Sequence, residues 1–234
     1  MRKDTQWHRA RVVSIADACP GVREIVLDPG TAARSFEVGS HVDFRVQLHG
    51  RDDVRSYSLV GEPRADGYYQ IAVRQMPDSR GGSLHMWTLA PGDVVEMSPP
   101  SNNFALDESG EEILLIAGGI GITPIVGMAQ RLARGHRAFR LLYAGRSRSA
   151  MAYVDTLEAL LGERLQLQCD DSAARRIWLP NWRACRPMPR CMCAGRWACS
   201  RRYASTGTPP AGRVRACTSK PSAIAGGCRR RRSW

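Results

Sequence analysis

The sequence predicts a β + α/β chain: an antiparallel β-barrel over residues 1–107, then a truncated parallel sheet with helices over residues 108–171. Three observations carry this expectation. The first hundred residues hold short, often alternating apolar segments punctuated by Gly and Pro. From residue 112 apolar strand-like runs alternate with segments of helical period. Beyond residue 171 the charge balance changes abruptly, which sets residues 172–234 apart as a third segment.

In the barrel, residues 9–15, 22–28, 41–48, 54–59, 69–74 and 93–97 read as strands. Pro20-Gly21, Pro29-Gly30, Gly61-Glu62-Pro63 and Pro91-Gly92 separate them, the residue types that turns demand. Arg80-Gly81-Gly82-Ser83 precedes an apolar helical segment running to about residue 89, in which Met86 and Trp87 are expected in the core. Residues 112–116 form a short apolar run of the kind buried in a parallel sheet. Ala117-Gly118-Gly119-Ile120-Gly121-Ile122-Thr123-Pro124 follows, and opens a helix over 123–134 with apolar Ile125, Val126, Met128, Ala129 and Leu132. A strand at 138–144, a helix at about 151–161 and a strand at 165–168 complete a doubly wound pattern. No internal repeat is apparent.

Three of these segments carry chemistry. Glycines between a strand and a helix let backbone approach a ligand, and the helix start offers N–H groups and positive potential to a phosphate. The physical reading of residues 117–124 is therefore a nucleotide diphosphate site, with a ligand-free tight turn as the alternative. Arg55-Ser56-Tyr57-Ser58-Leu59 offers a guanidinium, a flat ring and a hydroxyl at close spacing, suited to a flavin. Arg80-Gly81-Gly82-Ser83 offers N–H groups and a hydroxyl, suited to a terminal phosphate. Either run alone is also compatible with an ordinary strand or turn.

The order of these motifs, with Pro99-Pro100-Ser101-Asn102-Asn103-Phe104 between them, resembles the ferredoxin–NADP reductase superfamily. Within it the chain is similar to the phthalate dioxygenase reductase and vanillate demethylase reductase group over roughly residues 6–171. The resemblance implies a flavin-binding barrel, then a nicotinamide-nucleotide domain and a plant-type 2Fe–2S domain. Electrons would pass from NADH (NADPH as the alternative) through FMN (FAD as the alternative) to an oxygenase component acting on an aromatic acid. Carried over on matching positions, Arg55, Tyr57 and Ser58 would hold the flavin, and Ala72, Val73 and Arg74 would line it. Gly82 and Ser83 would take its phosphate. Gly118, Gly119, Gly121 and Thr123 would face the nicotinamide nucleotide, with Thr123 at the flavin–nicotinamide contact. Arg146, in Tyr143-Ala144-Gly145-Arg146, would help seat the adenosine half. Ser58-Leu59-Val60-Gly61 lacks the further serine that the resemblance associates with FAD, which favours FMN.

Residues 1–171 hold 19 Lys and Arg against 22 Asp and Glu, a net of −3, whereas residues 172–234 hold 15 Lys and Arg and no acid. Six of the eight cysteines and four of the six tryptophans lie in this second stretch, so the overall +12 belongs to it. Arg229-Arg230-Arg231-Arg232 fits a nucleic-acid arm, but such arms seldom interleave Trp, Cys and Pro to this extent. Cys185, Cys191, Cys193 and Cys199 contain no Cys-x-x-Cys pair, and the stretch has no His, which argues against zinc. A disulfide framework needs an oxidising compartment, and residues 1–7 show no signal-peptide core, so a cytoplasmic protein is expected.

The remaining explanation is a wrong reading frame. With each codon started at the third base of the preceding one, Met192-Cys193 must give Val and Trp197-Ala198 must give Gly. With permitted first bases, Cys191 to Ser200 reads YVCGPLGML, and Cys217 to Gly226 reads HFETFGNSG. These strings resemble the Cys-Gly-Pro turn and the aromatic segment that the group carries after its nucleotide site. The frame is expected to change between about residues 171 and 176, leaving an aberrant, disordered segment. On that reading, residues 113–117 become an exposed sheet edge. No Cys-x4-Cys-x2-Cys run exists in the sequence, so the 2Fe–2S cluster is not encoded in it. An inactive truncated product, binding flavin at most, is the competing expectation.

Other features receive plain readings. His8, His41, His49, His85 and His136 show no metal spacing, so no metal site is expected. Asp170-Asp171 reads as a solvated strand end, and Cys19 and Cys169 as reduced cysteines. No apolar run is long enough to cross a membrane.

Overall fold

The computed structural model describes residues 6–48, 50–76, 81–170 and 190–194. Its first sheet is antiparallel and contains seven strands. These are β1 (His8–Cys19), β2 (Val22–Asp28), β3 (Ser40–Leu48), β4 (Arg51–Ser58), β5 (Tyr69–Arg74), β6 (Val94–Met97) and β7 (Ser101–Asn102). They run in the order β4-β3-β6-β1-β2-β5, with β7 on β3. An isolated antiparallel bridge between Leu59 and Ile71 brings the two ends of this order together and closes the sheet on itself.

The strand period explains the barrel. In β3, Val42, Phe44 and Val46 point inward and are buried, alternating with Asp43 and Arg45. Ala10, Val12, Ile25, Leu27, Ile71, Val73 and Met97 complete this core. Each large apolar side chain so buried contributes about 1.5–3 kcal/mol before the entropy of ordering it. Helix α1 (Gly82–Trp87) buries Met86, and Trp87 Nε1 donates to the Val73 carbonyl at 3.1 Å.

The second sheet is parallel, in the order β10-β9-β8-β11. Its strands are β8 (Ile113–Gly118), β9 (Phe139–Gly145), β10 (Leu165–Cys169) and β11 (Arg190–Ala194). Helix α2 (Ile122–Arg134) packs Ile122, Ile125, Val126, Met128, Ala129 and Leu132 on it. Helix α3 (Val154–Leu161) adds Val154, Leu157 and Leu161. The expected helix start at 151 is too early, because residues 148–150 form a 3-10 turn and Tyr153 is left-handed.

Strand β11 corrects one expectation. Residues 113–117 are not an open edge: Arg190–Ala194 runs parallel to β8, with Cys191 opposite Leu114 and Ala194 opposite Ala117. The physical reason is a suitable run meeting the edge that β8 offers. Residues 191–194 are a short apolar run, the pattern that suits a buried parallel strand. Met192 is 7% exposed and packs in the same core as α2. So five residues of the basic segment are a strand rather than disordered chain. The expectations for its other residues, including the arginine run and the unpaired cysteines, fall outside the described residues.

The two sheets share one core. Val22, Val38, Val60 and Ala72 of the barrel join the cluster built by β8, β9, α2 and α3. At Gly127 of α2 a Cβ would lie 2.3 Å from the Gly61 carbonyl oxygen, so only glycine allows the helix this close to the loop after β4. Arg134, at the end of α2, is paired with Glu62 in that loop.

Candidate functional site

Strand β4 and helix α1 bring the first predicted residues together. Arg55 lies across Gly82: a Cβ there would be 2.3 Å from the Arg55 Nε and 2.8 Å from its Cδ. Its Nη1 is held by Asp53 Oδ1 at 2.7 Å and donates to the Val54 carbonyl at 2.9 Å. Tyr57 leans edge-on against the buried Phe44 ring, 5.7 Å between centroids. Burial pushes the Tyr57 phenol up to about 12, with the Arg55 charge pulling the other way. Ser58 ends β4 opposite His41. Ser83 Oγ accepts from the Met76 N–H at 3.3 Å.

Strand β5 divides its residues by period. Val73 points into the barrel core, whereas Ala72 faces the shared core and Arg74 reaches the second sheet. A ligand along this strand would therefore meet its backbone and Arg74 rather than three side chains. At Gly119 a Cβ would stand 3.4 Å from Arg74 Nη1. This contact joins a residue predicted to line the flavin to one predicted to face the nicotinamide.

The glycine loop after β8 is held from below. Gly118 is extended (φ −129°), Gly119 is left-handed (φ +54°) and Gly121 is already helical (φ −62°). Only Gly119 needs the conformation that side chains disfavour. Tyr143, fully buried on β9, donates its hydroxyl to the Gly119 carbonyl at 3.3 Å. Burial raises the Tyr143 phenol well above its ordinary range. Thr123 is 6% exposed and its Oγ1 donates to the Ile120 carbonyl at 3.0 Å, so its hydroxyl fixes the loop. The N-terminus of α2 adds positive potential at the same place.

Arg146 stands exposed after β9 and Asp170 N–H donates to the Gly145 carbonyl at 3.0 Å. Asp171 lies outside the described residues. Near Arg146, the Arg148 guanidinium binds Asp155 at 2.8 Å and Glu158 at 2.7 Å. Between the β1–β2 hairpin and the loop after β9 lies an open cleft of about 810 Å³, lined by Asp17, Cys19, Glu24, Ser147, Arg148 and Tyr153. Burial raises the Cys19 thiol, with the Arg74 charge opposing it.

Sequence reasoning named Arg55, Gly82, Arg74 and Gly119 in separate motifs, and the structure sets Arg55 beside Gly82 and Arg74 beside Gly119. It missed Tyr143, which holds the loop from beneath, and Gly61 and Gly127, which set the approach of the two sheets. The signal for Tyr143 was an aromatic hydroxyl two residues before the end of a buried strand. The Gly61-Glu62-Pro63 turn was marked locally, but its approach to Gly127 was not.

The donor set fits a flavin phosphate and a dinucleotide. It comprises the Arg55 and Arg74 guanidiniums, the Tyr57 ring near Arg55, Gly82, where a Cβ would clash, and a left-handed loop at a helix start. No group of three or more metal-ligating side chains occurs among the described residues.

Comparisons with known proteins agree with this geometry. Residues 9–106 match the oxidoreductase FAD-binding domain family and residues 115–176 the oxidoreductase NAD-binding domain family. The chain is 41% identical over 158 residues to the heme-dependent oxidative N-demethylase beta subunit of Ectopseudomonas mendocina, covering 66% of this chain and 50% of that protein. It is 44% identical over 136 residues to the vanillate O-demethylase oxidoreductase of a Pseudomonas species, covering 58% and 42%. The chain thus spans about half the length of the curated relatives it matches. The solved structure of phthalate dioxygenase reductase, described as modular for electron transfer from pyridine nucleotides to 2Fe–2S, superposes with a TM-score of 0.70. Identity there is 28%, over 80% of this chain and 60% of that one.

Proposed function

Because the chain belongs to the flavin- and nicotinamide-nucleotide-dependent oxidoreductases of the ferredoxin–NADP reductase type, we propose that it is the reductase component of an aromatic-ring oxygenase or O-demethylase system. The approach of Arg74 Nη1 to Gly119, 3.4 Å from where a Cβ would stand, supports the reading, since it sets the strand proposed to line the flavin beside the loop proposed to face the nicotinamide. A bound flavin supplies the exchange between a two-electron nicotinamide donor and one-electron acceptors. Arg55 would hold its phosphate together with Ser83 and the Gly82 backbone, and Tyr57 would pack on its ring. Thr123 and Tyr143 would keep the Gly118–Gly121 loop in place, so that the nicotinamide enters in a reactive orientation.

Two finer assignments have physical support. FMN is favoured because Leu59 and Val60 turn into the cores at 1% and 5% exposure, leaving no hydroxyl after Ser58 for a second phosphate. NADH is favoured because Arg148 is already neutralised by Asp155 and Glu158, which discourages a 2′-phosphate beside it. The oxygenase partner follows from the relatives' names, and the aromatic substrate would be that partner's choice.

The test is to purify the full chain, identify any flavin released by acid, and follow NADH-dependent ferricyanide reduction. A yellow protein that releases FMN and turns over with NADH supports the reading. A colourless protein that takes up no added flavin overturns it.

A second reading, an inactive product of a shifted frame, is favoured by the family match ending at residue 176 and by the acid-free composition beyond it. Strand β11 fills the place of the expected strand, but the sequence from Cys193 reads Cys-Ala-Gly instead of Cys-Gly-Pro. Resequencing the coding DNA from about codon 165 onward separates the two. A restored frame supports the working reductase, and a confirmed one makes the ferricyanide assay decisive.

A further inference from the structure

The two sheets touch along one face of the barrel, and that face can be read from register. On β2 and β5, Val22 is opposite Arg74, Glu24 opposite Ala72 and Val26 opposite Gln70. By the strand period, Glu24, Gln70, Ala72 and Arg74 share one face. Ala72 lies in the shared core, and Arg74 reaches Gly119. The other end of the same row meets Tyr153, whose hydroxyl donates to Glu24 Oε2 at 3.0 Å. The Gln70 side chain also hydrogen-bonds this phenol.

Tyr153 occupies a strained position. Its φ is +63° and ψ +13°, left-handed backbone that a bulky residue adopts only at a cost. The conformation delivers the phenol to the barrel face, across 129 residues of sequence from its partner.

We propose that the Tyr153–Glu24–Gln70 contact is an interdomain latch, and that Tyr153 is a positioning residue which sets how closely the nicotinamide loop approaches the flavin strand. The inference rests on the flavin–nicotinamide reading above. Gly127 against Gly61, with Arg134 on Glu62, is a close-packed pivot on one side. The latch restrains the other side. Gln70 and Arg74 are four residues apart on one strand, roughly 13 Å at the strand rise. A small rotation about the pivot therefore changes the spacing at Arg74 and Gly119. Reaction rate depends steeply on such spacing, with losses on the order of a hundredfold for a displacement of about 1 Å.

The experiment uses the full chain and the variants Tyr153→Phe, Glu24→Ala, Glu24→Gln and the double Tyr153→Phe/Glu24→Ala. Flavin content, KM for NADH, the rate of flavin reduction at saturating NADH, and amide hydrogen exchange are measured. Tyr153→Phe is expected to keep its flavin and hold KM within twofold while slowing flavin reduction at least fivefold. Exchange should rise in residues 147–156 and stay unchanged in β8. Glu24→Gln keeps an acceptor and should restore near wild-type rates, and the double variant should match Tyr153→Phe. A Tyr153→Phe rate within twofold of wild type, or a double variant slower by the product of the singles, overturns the latch. If the wild-type chain is not reduced by NADH, the functional reading fails by itself. The latch is then decided by exchange, and unchanged protection in residues 147–156 overturns it.

Discussion

At the scale of single residues, the site depends on atoms that glycine leaves out. A methyl group at Gly82 would collide with the aliphatic stem and Nε of Arg55, a flexible side chain that can swing away. Gly82→Ala is therefore expected to fold normally but to lose flavin affinity on the order of tenfold, the worth of one charge-assisted hydrogen bond. Flavin fluorescence titration checks this. Tyr57 gives a second expectation. Its phenol ionises ordinarily near 10 and is pushed up to about 12 by burial, so the folded chain holds this proton longer than the unfolded chain. The linkage leaves stability untouched below pH 9 and erodes it between pH 10 and about 12. Tyr143 and Tyr153 are shifted in the same direction and add to the loss. Urea unfolding across that range reads the slope. A Tyr57→Phe variant should show a shallower one.

At the scale of elements, β11 is the strand to question. Met192 is buried against the core that includes α2, and its sulfur accepts the Asp107 N–H at 3.5 Å. Met192→Ala is expected to cost about 2–5 kcal/mol, as truncation of a buried side chain does, measured by denaturant unfolding. Gly127→Ala is expected to cost about 1–3 kcal/mol through overpacking, because the obstacle is the Gly61 backbone, which cannot rotate aside. The contrast with Gly82, where a side chain is the obstacle, makes the pair a clean comparison. Much at this scale was legible beforehand. Residues 22–28 and 69–74 were read as strands and are β2 and β5. Each is bounded by turn residues, so composition alone marked their ends. Strand β11 was not legible, because four apolar residues in a basic segment become a strand only when β8 offers its edge. Likewise, the predicted start of the helix at 151 missed the left-handed Tyr153, whose phenol meets Glu24 on a distant strand.

At the scale of the whole molecule, charge and structure are separated along the chain. The portion up to residue 171 carries a slight negative excess, and the portion beyond it carries only positive charge. Association with polyanions is therefore expected to come from the basic segment alone and to weaken steeply with salt. A chain ending after residue 194 should elute from heparin at much lower salt than the full chain while keeping its flavin. Retention of tight heparin binding by the shorter chain, which loses ten of the segment's fifteen Lys and Arg, would place the basic surface within residues 1–194. The residues of the candidate site were legible as motifs, each within one stretch. The mutual placement of the stretches was not, because it rests on Gly61 with Gly127 and on Glu24 with Tyr153, pairs that no local pattern links.

The position of β11 in the chain also has a consequence for biosynthesis. Strand β8 ends at Gly118, and its neighbour is complete only at Ala194. At ribosomal rates of roughly 5–20 residues per second, the nascent chain waits on the order of 4–15 s before that flank can be covered. During this interval an apolar strand edge is open to other nascent chains. Slower translation of this stretch, or loss of holdase chaperones, should then lower soluble yield more than it lowers the stability of the finished protein.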